Sequence, residues 1–64
     1  HDALSDREMQ VLQQIASGKT VSEIADEISL SVNTVSTYRT RILEKLSLSN
    51  NAEITRYALE NHLV

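Results

Sequence analysis

The sequence predicts an all-α fold of four helices, and three observations carry that prediction. The chain has no proline, one glycine, no tryptophan or phenylalanine and two tyrosines, whereas a sheet calls for turn glycines and aromatic strand residues. A hydroxyl or amide side chain followed three residues later by glutamate, the mark of a helix start, occurs at Ser5-Asp6-Arg7-Glu8, Thr20-Val21-Ser22-Glu23 and Asn50-Asn51-Ala52-Glu53. After these starts, apolar residues recur at steps of three and four.

The first helix is expected over about 6–17. Ser5 and Glu8 form a capping box, Leu4 staples onto the first turns, and Val11, Leu12, Ile15 and Ala16 share one face. Gly18 then supplies the left-handed stop. The second helix, about 21–29, starts at the Thr20 box and lines up Val21, Ile24, Ala25 and Ile28. Leu30-Ser31-Val32 interrupts the pattern, and Ser31 can cap the next helix. The third helix, about 32–46, turns Val35, Ile42 and Leu46 inward, with Tyr38 or Leu43 at the edges. Opposite them Asn33, Ser36, Thr37, Thr40 and Arg41 make one continuous polar face.

A polar link anchored by Leu48 leads to the last helix, about 51–62, which carries Ala52, Ile54, Thr55, Tyr57, Ala58, Leu59 and Leu63. These do not fit one narrow stripe, so part of that surface is expected to face something outside the monomer. His62 near its end is read as a charge partner for the helix dipole. The expected core is Val11, Leu12, Ile15, Ile24, Ile28, Val35, Ile42 and Leu46.

With 64 residues and 41% hydrophobic content, residues 1–64 are read as one domain, near the lower size at which a core holds a fold unaided. The absence of cysteine excludes disulfides and thiolate metal sites. His1 and His62 stand at opposite ends, so neither a metal site nor a cofactor is expected. No apolar run approaches the roughly 18 residues of a membrane span, and the start lacks a signal peptide's basic and apolar stretches, so a cytoplasmic location with no membrane partner is expected.

The net charge of -3 at first argues against a nucleic-acid partner, because phosphates reward basic surface. The distribution softens this. Residues 31–46 hold Arg39, Arg41 and Lys45 against Glu44, a balance of +2, and the remainder holds three bases against eight acids, a balance of -5.

The second helix, a three-residue turn and the third helix have the proportions of a helix-turn-helix, in which the second member lies in the DNA major groove. The polar face suits that task. Asparagine pairs bidentately with adenine, serine and threonine hydroxyls bond to several bases, and a threonine methyl touches a thymine methyl. Arg41 and Lys45, with Arg39 toward the flank, suit phosphates, as do the outward-pointing amides of the Ser31-capped helix end. The plainer alternatives are a solvated helix face for the hydroxyl residues and ordinary surface charge for the cations. Tyr38 is read as a packing residue, since single-strand binders interleave several aromatics. Glu53 and Glu60 are read as solvated, and Tyr57 divides between monomer core and dimer seam.

Leu4-Ser5-x-Arg7-Glu8, Gly18-Lys19-x-x-x-Glu23-Ile24-Ala25, Leu30-Ser31-x-x-Thr34-Val35-x-x-Tyr38 and Ile42-Leu43-x-Lys45-Leu46 together resemble the LuxR/FixJ-type (GerE-like) DNA-binding domain over nearly the whole chain. Within that family, Thr34-Val35-x-Thr37-Tyr38-Arg39-x-Arg41-Ile42 with Glu44-Lys45-Leu46 is most similar to the GacA/UvrY type of response regulator. The resemblance implies a four-helix domain, the C-terminal effector of a two-domain transcription factor with a receiver domain upstream. It implies base contacts by Asn33, Ser36, Thr37 and Thr40, and phosphate contacts by Lys19, Thr20, Thr34, Arg39, Arg41 and Lys45. It further implies a weak homodimer through the last helix, with Asn51, Glu53, Ile54, Arg56 and Tyr57 as candidates. Many relatives carry lysine or histidine where this chain has Ser36 and Tyr38, so its stripe is less basic.

The expected function is therefore sequence-specific binding of double-stranded DNA by a bacterial transcriptional regulator, without catalysis. A rival reading is a helical protein-interaction module whose acidic surface takes a basic partner. A small enzyme or ligand-binding bundle is disfavoured, because no nucleophile has a histidine or paired carboxylate at motif spacing.

Overall fold

A computed structural model describes residues 3–64, and within them the chain forms α1 (Asp6–Ala16), α2 (Val21–Ile28), α3 (Val32–Leu46) and α4 (Asn51–Glu60). His1, one of the two histidines considered as metal ligands, lies outside the described residues. All four helices start where the caps predict. The Glu8 amide donates to Ser5 Oγ (3.2 Å) while the Ser5 amide donates back to Glu8 Oε1 (2.9 Å). Thr20 and Glu23 repeat the exchange at 3.2 and 2.8 Å. Ser31 Oγ takes the Thr34 amide and Asn50 Oδ1 takes the Glu53 amide. At α4 the returning glutamate reaches one residue further back, to the Ser49 amide.

The helix ends share one device. After each helix a residue sits in the left-handed region, Gly18 at φ 93°, Ser29 and Ser47 at 57° and His62 at 56°. The amide of the next residue then reaches the carbonyl five positions back, in Lys19 to Gln14, Leu30 to Ala25, Leu48 to Leu43 and Leu63 to Ala58. In the last three a half-buried leucine delivers that bond and packs against the core. Only Gly18 advertises the device by residue type. Because a Cβ in this region costs about 1 kcal/mol or more, Ser47→Gly should raise stability by about 0.5–1 kcal/mol after allowing for glycine's extra freedom in the unfolded chain. A higher urea midpoint at unchanged m value is the readout.

The last helix is shorter than its apolar spacing suggests. It stops at Glu60, and His62 lies in the left-handed turn just beyond it, where its amide donates to the Leu59 carbonyl at 3.3 Å.

Helix α1 is the hub, packing against α2, α3 and α4, while α3 rests on α1 and α2. Val11, Leu12, Ile15, Ile24, Ala25, Val35, Ile42, Ile54 and Ala58 form the buried core. Ile28 and Leu46, expected at its centre, stand half-buried at its margin beside Tyr38 and Leu43, because each lies at a helix end that fewer neighbours cover.

Candidate nucleic-acid interface

Residues 29–31 join α2 to α3 in a three-residue turn, and the 15 residues of α3 make a rod about 22 Å long. Burial of Val35 and Ile42 fixes the rotation of that rod, which leaves Asn33, Ser36, Thr37, Thr40 and Arg41 together on the exposed side. The Thr37 hydroxyl donates to the Asn33 carbonyl at 3.0 Å, so Thr37 offers outward its methyl and its oxygen lone pairs. Asn33, Ser36, Thr40 and Arg41 have no side-chain partner among the described residues and present their full bonding capacity. Two neighbours outside the expected set border this stripe. Val32, 47% exposed, adds an apolar surface at its start, and exposed Glu44, four residues beyond Thr40, puts a carboxylate at its far end.

The cations divide by partner. Lys45 Nζ donates to Glu8 Oε1 at 2.8 Å and to the Ala3 carbonyl at 3.1 Å. That takes Lys45 out of the expected phosphate set: its ammonium faces α1 and compensates a carboxylate that is itself buried. The hydrogen bond from Lys45, followed by the Ser5 amide, holds the Glu8 carboxyl below the usual glutamate range, against a desolvation that pushes it up. Lys19 Nζ pairs with Glu27 Oε1 at 2.5 Å, so phosphate contact by Lys19 requires exchange of that partner. Arg39 Nε donates to Asn51 Oδ1 at 2.5 Å. Arg41 has no carboxylate partner among the described residues.

The two threonines of the expected phosphate set belong to caps. Thr20 Oγ1 accepts the Glu23 amide, and Thr34 Oγ1 lies 2.9 Å from Ser31 Oγ. Both hydroxyls stand at helix starts, where backbone amides and the helix dipole favour an anion.

On α4, the candidate dimer residues separate. Ile54 is fully buried against the core and cannot contribute to a surface, which corrects its expected place in a dimer seam. Asn51 is engaged by Arg39, Glu53 by the Ser49 amide, and Tyr57 is half-buried. Outward from Ile54 and Ala58 lie exposed Ala52, Arg56 and Leu59, the last 59% exposed. This is the surplus apolar surface that the sequence pattern of this helix implies.

Among the described residues no group of histidine or acidic side chains is arranged to hold a metal ion, and no helix is long and apolar enough to cross a membrane.

Residues 2–58 match the bacterial regulatory proteins of the luxR family. Over 64 residues the chain is 44% identical to the transcriptional regulatory protein LiaR of Bacillus subtilis, covering all of this chain and 30% of that protein. It is 46% identical over 63 residues to the response regulator GacA of Pseudomonas protegens, and 43% identical over 63 residues to the GacA of Pseudomonas aeruginosa. Those matches cover 98% of this chain and 30% and 29% of the two proteins. The chain thus spans less than a third of the length of these relatives.

Proposed function

This chain belongs to the LuxR family of bacterial regulatory proteins and is a helix-turn-helix DNA-binding unit of transcriptional-regulator type; from that premise we propose that residues 1–64 form its effector domain, with α3 in the major groove. The observation that carries the reading is the exposed polar stripe of α3, where Asn33, Ser36, Thr40 and Arg41 have no side-chain partner among the described residues and whose core-facing side fixes its orientation. A groove about 12 Å wide admits a helix with such short side chains. Asn33, Ser36, Thr37 and Thr40 read base edges, with Asn33 suited to adenine and the Thr37 methyl to thymine. Arg39 and Arg41 hold phosphates, assisted by the Thr20 and Thr34 hydroxyls and by Lys19 when it leaves Glu27.

The relatives' names speak of response regulators, and a receiver domain upstream in the same polypeptide is part of the proposal. So are a cytoplasmic location and the absence of catalysis. A weak homodimer forms through the exposed side of α4, centred on Ala52, Arg56 and Leu59 with Glu53 and Tyr57 at its edges, and sets two half-sites by its symmetry.

A mobility-shift titration against a random duplex pool at two salt concentrations tests the proposal. With few cations free of carboxylates, the log-affinity against log-salt slope should be about -2 to -3 per domain. Thr37→Ala should alter preference at one base position by about 1–3 kcal/mol, whereas Arg41→Ala should weaken all sequences alike and reduce the slope by about one. No selectable duplex and no salt dependence would overturn the reading in favour of a protein-interaction module.

A further inference from the structure

Three of the cations first expected to meet phosphate have a side-chain acceptor, and the acceptors differ in charge. Lys19 and Lys45 face carboxylates, from Glu27 and Glu8. Arg39 faces a neutral amide, Asn51. A carboxylate orients a cation and cancels its charge, whereas an amide oxygen orients it and leaves the charge intact. The guanidinium carries five N–H donors in a fixed plane. With Nε committed to Asn51, the four donors on Nη1 and Nη2 have no partner among the described residues. The acceptor is firmly mounted: Asn51 opens α4, whose first turn is tied by Asn50 to the Glu53 amide at 2.9 Å and by the Thr55 hydroxyl to the Asn51 carbonyl at 3.1 Å.

We propose that Asn51, expected from family resemblance to be a dimer residue, is a positioning residue for DNA binding, which holds Arg39 through Nε so that its terminal nitrogens face a phosphate with full charge. This rests on the phosphate role proposed for Arg39. An arginine ordered before binding loses less side-chain freedom when it meets the backbone, so the bond raises affinity for every sequence without reading any base.

The test measures binding of a mixed-sequence duplex of about 20 base pairs, roughly two helical turns, by the chain and by Asn51→Ala, Arg39→Ala, the double variant and Asn51→Asp. Asn51→Ala should weaken binding about three- to tenfold with an unchanged salt slope, since the charge remains. On an Arg39→Ala background it should have no further effect. Asn51→Asp keeps the acceptor, so thermal unfolding should occur at the wild-type temperature or above, yet binding should fall about tenfold or more and the slope by about one, as the aspartate cancels the guanidinium. A purely structural bond would leave DNA binding by Asn51→Asp intact, and that result overturns the proposal. An Asn51→Ala effect that is absent, or equal with and without Arg39, overturns it while leaving the phosphate role of Arg39 standing. A silent Arg39→Ala overturns both.

Discussion

Ile54→Ala should lower the free energy of unfolding by about 2–4 kcal/mol, the usual cost of emptying a fully packed aliphatic site. A chain of this length has about 3–10 kcal/mol of stability in all, so the variant stands near the edge of folding at physiological temperature. Ile54 has no exposed surface, and it shares one core with Ala58, Val11, Leu12 and Ile15. The loss should therefore be the same at every protein concentration in urea titrations. A dimer-seam residue would behave differently, with a loss that appears only where the wild type self-associates. Leu59→Ala supplies the contrast, because its side chain is largely in solvent: little change in unfolding, and a shift toward monomer by sedimentation.

Lys45→Met should cost about 1–3 kcal/mol at neutral pH, mostly by leaving the Glu8 carboxylate buried without its cation. The figure stays below that for a fully enclosed pair because Lys45 is 38% exposed. The pH dependence identifies the cause. Glu8 has its carboxyl lowered in the folded state, so its contribution is complete above the ordinary glutamate value of 4.5 and is lost as the pH falls through the lower folded value. The wild type should lose stability below about pH 4.5, and the gap between wild type and Lys45→Met should narrow over the same range, since a protonated Glu8 no longer requires the ammonium. A gap independent of pH would mean that Lys45 acts through its methylene stem. DNA affinity of the folded variant should change little, because the ammonium faces α1.

The features legible in the sequence are those encoded within a turn or two. The Ser5, Thr20, Ser31 and Asn50 caps announce helix starts through residues three positions apart, and the α3 stripe follows from helical spacing alone. Ser29 and Ser47 hide their left-handed role because serine, unlike Gly18, has no conformational signature there. The Glu8–Lys45 pair joins residues 37 apart and is invisible from either neighbourhood, so in the sequence Glu8 looks like a capping residue and Lys45 like a phosphate ligand. Ile54 illustrates the same limit. Its helix carries apolar residues on more than one side, and only the docking of α4 on α1 decides which side is the core. Arg39 and Asn51 both stand out in the sequence, but as members of separate sites, because nothing local connects α3 to the start of α4.

If the exposed stripe of α3 is the surface that meets DNA, amide chemical-shift mapping of the labelled chain, titrated with a duplex selected from the random pool, will reveal it residue by residue. The largest shifts should fall across residues 32–41, with smaller ones at Lys19 and Thr20 and at the Arg39–Asn51 contact. Shifts gathered on the acidic outer surface of α2, at Glu23, Asp26 and Glu27, with residues 32–41 unmoved, would refute DNA recognition by α3.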